Sequence, residues 1–258
     1  MSRYGGVLLD LGGVVYVGDQ PLPGAIDAIA RLHVAGIPVR FLTNTTRTPH
    51  RRLLARLREM GLSVADEELL TPALAARALI EREGLEPHLL VHPALEEDFA
   101  AIAPGTSKAV VIGDAGDDFT YAALNAAFRE LERGAQFLAL ANNRSFRDDD
   151  GELSLDAGPF VAALAFASRR DPVVLGKPAP AFFHSAVESL GCAPKDAVMI
   201  GDDVESDVAG AMAAGLAGIL VKTGKYQAGA ESEIDPPPSA VANDLAGAVD
   251  WLLKNSDG

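Results

Sequence analysis

Residues 4–18 read YGGVLLDLGGVVYVG, and this stretch decides the fold. Val7, Leu8 and Leu9 form a short unbroken apolar run with glycines on either side. Such a run reads as a strand buried on both faces, as at the centre of a parallel sheet. It ends on a single carboxylate, Asp10, which is followed by Leu11, Gly12, Gly13 and Val14. In an open parallel sheet, ligands gather at the carboxyl ends of the strands, so an acid at such a tip marks a candidate site.

Working outward, GAIDAIARLHVAG (24–36) has helical periodicity closed by Gly36, and IPVRFLTN (37–44) is the next strand. Thr48 reads as the cap of a helix that begins with Pro49 and ends near Gly61. The order βαβα predicts a parallel sheet with right-handed crossovers. The last third repeats this grammar. DPVVLGKP (171–178), DAVMIGDD (196–203) and LAGILVKTG (216–224) read as strands. APAFFHSAVESLG (179–191), ESDVAGAMAAG (205–215) and LAGAVDWLLKN (245–255) read as helices. The middle has its own strands, PHLLVHPA, KAVVIGDA and AQFLALAN, and the helices DFTYAALNAAFREL and GPFVAALAFA. Its polar loop NNRSFRDDDGELSLD (142–156) carries the acid run Asp148, Asp149 and Asp150, read as a solvated turn. The expected fold class is therefore α/β. A doubly wound, Rossmann-like parallel-sheet core is formed by residues 1–77 and 171–258, with a separate α/β module inserted at 78–170.

The chain has 258 residues and a formal net charge of -14. That charge repels a phosphate backbone and argues against nucleic acid as a general partner. A small phosphorylated substrate remains compatible where a metal ion and a few basic groups reverse the field locally. No apolar stretch approaches the roughly 18 residues of a membrane span, and the first ten residues lead into a strand rather than a signal peptide. Cys192 is the single cysteine, so no intramolecular disulfide forms. A cytoplasmic protein with no membrane partner is the expectation.

Four strand ends carry a coherent set of groups: Asp10; Thr43 with Asn44; Lys177; and Asp202 with Asp203, with Asp207 one helical turn beyond. Acids brought together in this way need something cationic between them. A hard cation with oxygen ligands, Mg2+ above all, supplies it. A tetrahedral dianion bridging the metal, the Lys177 ammonium and the Thr43 hydroxyl completes an arrangement for phosphoryl transfer.

In their order and placement, these four motifs resemble the haloacid dehalogenase superfamily. GDDVESDVAGAMAAG (201–215), LGKPAPAFF (175–183), DAGPFVAAL (156–164) and ILVKTGKY (219–226) extend the resemblance over essentially the whole chain. The resemblance implies that the insert is a cap domain of the larger α/β class and that relatives pair as homodimers through it. It also implies that Asp10 is the nucleophile and forms an aspartyl phosphate. Thr43 would bind the transferring oxygens, and Lys177 would neutralise both them and Asp10. Magnesium would be held by Asp10, the main-chain carbonyl of Gly12 and Asp202. Asp203 and Asp207 would hold the ion directly or through its waters, Asp203 being placed among the ligands and Asp207 behind them. Gly13 would let the chain turn beneath the phosphate, and Asn44 would orient the loop or donate to the phosphoryl group.

The family pattern has a second Asp two residues after the nucleophile, where this chain has Gly12. That acid protonates the leaving group and later deprotonates water. Its absence points to substrates that leave with little help, namely pyrophosphate, acyl or aryl phosphates and phosphoramidates. It equally raises an alternative, a weak or inactive protein that binds phosphoryl ligands. Asn142, Asn143 and Arg144 follow a strand of the insert and are candidates for reading the leaving group. Asp114 reads as turn chemistry at a strand end or as a cap residue facing substrate. Arg40 and Arg47 read as solvated arginines, and the five histidines show no metal-ligand spacing.

Overall fold

The computed structural model describes residues 4–147 and 152–255. The run Asp148–Asp150 lies outside the described residues. In chain order the strands begin with β1 (Gly6–Asp10), β2 (Tyr16–Val17), β3 (Gln20–Pro21), β4 (Val39–Leu42) and β5 (Leu69–Leu70). Next come β6 (Leu85–Leu90), β7 (Ser107–Ile112), β8 (Gln136–Ala139), β9 (Ser145–Arg147) and β10 (Leu153–Leu155). The last are β11 (Val173–Val174), β12 (Ala197–Gly201), β13 (Ala217–Val221) and β14 (Ala240–Ala242). The α-helices are α1 (Ala25–Val34), α2 (His50–Glu59), α3 (Pro72–Glu83), α4 (Tyr121–Glu132), α5 (Ala157–Ser168), α6 (Pro180–Leu190), α7 (Gly210–Ala213) and α8 (Leu245–Lys254).

The chain divides into two compact units. One holds Met1–Thr43, Leu54–Leu70 and Lys177–Gly258; the other holds Asn44–Leu53 and Thr71–Gly176. The first is built on a six-stranded sheet in the order β14-β13-β12-β1-β4-β5, every pairing parallel. All five residues of β1 and all five of β12 are buried, as continuous apolar runs at the centre of a parallel sheet require. On one side of β1, Leu9 pairs with Ile200; on the other, Asp10 pairs with Leu42. The chain runs outward from β1 in both directions, so the topological switch point lies between β1 and β12, where Asp10 ends its strand. Helices bury one stripe each: Ala25, Ala28, Ile29 and Leu32 of α1, and Leu245, Ala248, Val249 and Leu252 of α8. That i, i+3, i+4, i+7 spacing is the pattern the sequence shows.

The second unit has a parallel sheet in the order β11-β8-β7-β6. Its central strand alternates between two cores. Ala109 and Val111 join Ala73, Ala76 and Ile80 of α3, whereas Val110 and Ile112 join Ala127 and Leu131 of α4 and Val161 and Leu164 of α5. Among the described residues, no helix is long and apolar enough to cross a membrane.

Local expectations are corrected at several points. The strand before Lys177 shortens to β11 and pairs with β8, in the sheet of the second unit rather than beside β1. Lys177 therefore reaches its place on the loop between β11 and α6, not from a strand end of the larger sheet. The polar 142–156 loop contains an antiparallel pair, β9 with β10. At the start of α2, the N–H of His50 is received by the Asp98 carboxylate at 3.1 and 3.2 Å instead of by Thr48. The 205–215 helix opens with a wide turn, in which the Val208 N–H reaches back five residues to the Asp203 carbonyl at 3.3 Å.

Candidate active site

Two strand tips and two loops supply the site. Asp10 ends β1, and Asp202 and Asp203 follow β12 directly. Carboxylate oxygens of Asp10, Asp202 and Asp207 lie within 4.8 Å of one another. All three residues are buried, as is Lys177 at 3% exposure. The Lys177 ammonium donates to Asp10 Oδ1, and to Asp207 Oδ1 at 2.6 Å. Buried acids with oxygens this near one another repel, and one lysine offsets part of three charges.

Each acid is fixed by its surroundings. The wide π-type turn after β12 brings Asp207 back over its start, where Asp207 Oδ2 accepts the Asp203 N–H at 3.2 Å. Single π-type turns of this kind recur at functional sites. Asp202 Oδ2 accepts the backbone N–H of Lys225 at 2.6 Å. Its carboxyl is flanked by Gly13 and Gly224, whose φ angles are +87° and +57°. A Cβ on either glycine would overlap Asp202 Oδ2, so these two positions require glycine both for conformation and for space. Gly201 makes the same room for Asp207. Thr223 ties the two loops together, its hydroxyl donating to the Gly13 carbonyl at 2.5 Å.

Asp203 stands apart from the three-acid group. Its Oδ1 accepts the N–H groups of Glu205 and Ser206 at 3.1 and 2.9 Å, capping the following turn. Its Oδ2 pairs with Lys225 Nζ at 3.3 Å. Burial would raise the pKa of Asp203, but the Ser206 N–H and the Lys225 charge outweigh it and hold the carboxyl below its ordinary value. The others go the opposite way. Burial raises Asp10 despite the opposing Lys177 charge. Burial, with the Asp207 charge beside it, pushes Asp202 up to about 6 against the Lys225 N–H that favours the ionised form. Burial and Asp10 likewise raise Asp207 to about 6, Lys177 opposing. Burial alone would lower Lys177, but Asp10 and Asp207 more than reverse this and keep it protonated.

Such a group is an all-oxygen donor set whose acids are made harder to ionise by burial and mutual repulsion. A hard divalent cation would relieve both, so the residues present fit magnesium. Thr43 is buried and stands one residue beyond Leu42, the partner of Asp10 across the β1–β4 ladder. Gly12 is exposed, and a Cβ built on it meets nothing within 4 Å.

Asn44, Asn142 and Asn143 belong to the second unit. There the Asn143 carbonyl accepts the Gly158 N–H at 3.0 Å at the start of α5, and Gly176 leaves room for the Asn44 side chain. Asp114 serves turn chemistry, its Oδ1 accepting the Gly116 N–H at 3.0 Å. Arg47 is not simply solvated: its Nε donates to Asp114 at 2.5 Å, and its guanidinium lies over the Phe146 ring. Arg40 donates to Ser189 at 2.9 Å. Thr223, Gly224 and Lys225 escaped the sequence reading as site residues. Their signal was a Gly-Lys pair at the tip of the strand in ILVKTGKY, beside the acidic one.

Known proteins resemble this chain over nearly its whole length. A family model described as haloacid dehalogenase-like hydrolase matches residues 7–125, and a second, HAD-hydrolase-like model matches 174–248. The haloacid dehalogenase-like hydrolase domain-containing protein 2 of Rattus norvegicus is 45% identical over 96% of both chains. Phospholysine phosphohistidine inorganic pyrophosphate phosphatase of Xenopus laevis is 38% identical over 97% of this chain and 95% of its own. Among solved structures, a p-nitrophenyl phosphatase from Archaeoglobus fulgidus superposes with a TM-score of 0.88 at 26% identity, covering 96% of this chain and 99% of the other. A glycerol phosphate phosphatase from Mycobacterium tuberculosis in complex with magnesium gives 0.82 at 28% identity, covering 96% and 78%.

Proposed function

The chain belongs to the haloacid dehalogenase-like hydrolase family, and from that premise we propose that it is a magnesium-dependent phosphatase working through an aspartyl phosphate at Asp10. The observation that carries this reading is the buried group of Asp10, Asp202 and Asp207 with Lys177 bonded into it. Phosphatases among its relatives, one of them solved with magnesium, support it.

Asp10, Asp202 and the Gly12 carbonyl would hold the ion, with Asp207 in reach through the three-acid cluster. Once bound, magnesium supplies charge neutralisation and orientation to the phosphoryl group. The chain's own residues do the rest. Lys177 holds one oxygen of Asp10 in place and leaves the other to attack phosphorus. The same ammonium, joined by the Thr43 hydroxyl, meets the charge that builds on the transferring oxygens. Asp207 keeps Lys177 charged and aimed. Asp203 acts as an anchor in this scheme: with Lys225 it fixes the loop that presents Asp202.

With no side chain at position 12, substrates whose leaving groups depart as weak bases are favoured, namely pyrophosphate, acyl and aryl phosphates, and protonated phosphoramidates. The second unit serves as the cap, and Asn142 and Asn143 are its candidates for reading the leaving group. Gly12 also favours a second reading, a phosphoryl-ligand-binding protein without turnover. A p-nitrophenyl phosphate assay with magnesium and then with EDTA separates the two. Turnover that EDTA abolishes supports the enzyme, and phosphate binding without turnover supports the binding protein. A panel of phosphorylated metabolites that includes pyrophosphate and acetyl phosphate then ranks substrates.

A further inference from the structure

Two lysines reach the acid group, one from the interior and one from solvent. Lys177 is buried and bonded to Asp10 and Asp207. Lys225 leaves 71% of its side chain exposed, and its ammonium sits 3.3 Å from Asp203 Oδ2. The charges of Asp203, Asp207, Asp202 and Asp10 all act on that ammonium, so it stands in the field of the whole group.

The backbone of Lys225 is firmly held. A Cβ built on Gly224 would stand 2.6 Å from the Gly13 Cα, so the loop after β13 packs directly on the turn that follows β1. The Thr223 hydroxyl bonds the Gly13 carbonyl, and the N–H of Lys225 itself donates to Asp202. These contacts fix position 225 beside the Gly12–Gly13 turn without using its side chain. The ammonium is held far less tightly. An exposed lysine–carboxylate pair contributes little, so the ammonium can turn from Asp203 to an anion of higher charge.

The direction of the chemistry decides which anion that is. Attack and departure in phosphoryl transfer are roughly in line. With Asp10 and Lys177 buried, the leaving group points to the open side, where Lys225 stands. An anion departing there is repelled by the carboxylates of the site. Lys225 offsets that repulsion with no proton transfer, which suits a chain without a side chain at position 12.

Resting on the phosphatase reading above, we propose that Lys225 receives the leaving group and selects substrates whose leaving group is already an anion before the bond breaks. Phosphoanhydrides such as pyrophosphate then rank ahead of aryl and acyl phosphates. In the first half-reaction an Asp10 oxygen bonds to phosphorus and the bond from phosphorus to the bridging oxygen breaks. The electron pair stays on that oxygen, and the departing phosphate pairs with the Lys225 ammonium. In the second half a water oxygen bonds to the same phosphorus and the acyl phosphate bond breaks. Asp10 is restored, and both protons of the water leave on the released phosphate.

The test is Lys225→Gln beside Lys225→Arg, since both keep the backbone N–H that holds Asp202. With magnesium, kcat/KM is measured on pyrophosphate, acetyl phosphate and p-nitrophenyl phosphate. Lys225→Gln should lose about ten- to hundredfold more on pyrophosphate than on the other two, the scale of a hydrogen bond to a charged group, and Lys225→Arg should keep most of the preference. Calorimetry supplies a readout without turnover. Methylenediphosphonate, whose bridge cannot be cleaved, should bind the wild-type protein more tightly than inorganic phosphate does, and Lys225→Gln should remove most of that difference. An equal loss on all three substrates overturns the proposal, and a higher magnesium requirement in that case leaves Lys225 the anchor of the Asp202 loop alone. A diphosphonate preference that survives Lys225→Gln, or wild-type turnover of p-nitrophenyl phosphate without pyrophosphate turnover, overturns it too. The phosphatase reading fails separately, by p-nitrophenyl phosphate turnover that survives Asp10→Asn.

Discussion

Restoring an acid at position 12 is the most informative single change. The structure says that Gly12→Asp is sterically free: a Cβ there meets no atom within 4 Å, and Gly12 does not occupy the left-handed region. Replacing glycine at a compatible position changes stability by about 0.4–1 kcal/mol in the favourable direction, and another carboxylate near Asp10 offsets some of that. Folding is therefore no obstacle, and the effect falls on chemistry. A positioned general acid contributes about 10²–10⁴ in rate where the leaving group departs as a strong base. p-Nitrophenolate departs without help, so its gain stays below about tenfold. Phosphate release measured on an alkyl or sugar phosphate and on p-nitrophenyl phosphate, both with magnesium, reads the difference directly. Equal gains on both substrates, or none on either, would refute the leaving-group reasoning.

Three further outcomes follow from the site. Asp10→Asn should reduce turnover to below about 1% of wild type, while phosphate binding that depends on magnesium persists by calorimetry; greater residual turnover contradicts covalent catalysis. Gly224→Ala forces a methyl group into Asp202 Oδ2 at a positive φ, so it should cost about 2–4 kcal/mol by denaturant unfolding, whereas Gly12→Ala should be near neutral. The third outcome concerns pH. Asp202 titrates at about 6 in the folded chain against 3.8 ordinarily, so between those values the folded state binds more protons than the unfolded state. Stability without metal then falls as pH rises from about 4 to 6, on the order of 3 kcal/mol for Asp202 alone. Saturating magnesium should flatten that dependence in thermal scans; a profile that rises over this window contradicts the assignment.

How much the sequence discloses varies with how local the determining physics is. The run Val7–Leu9, the helix periodicity of α1 and α8, and the acids at the tips of β1 and β12 are local signals, and the structure reproduces them. Where a strand finds its partner is a long-range matter. Val173–Val174 has the composition of a core strand yet pairs with β8, and only the pairing reveals that Lys177 arrives on a loop. β5 and β14 span two and three residues, too short for any period to show. Asp98 displaced Thr48 as the partner of His50 across 48 positions of sequence, which no local capping rule anticipates. Thr223, Gly224 and Lys225 acquire meaning only because β13 lies beside β12, which places their loop against Asp202.

The central claim is that Asp10 becomes phosphorylated. Acid quenching of a single turnover with p-nitrophenyl phosphate and magnesium, followed by peptide mass spectrometry, tests it most directly. The account predicts a phosphoryl group on the peptide containing Asp10, absent in Asp10→Asn and absent when magnesium is withheld. Full p-nitrophenol release with every Asp10 peptide unmodified at the earliest quench times would contradict it.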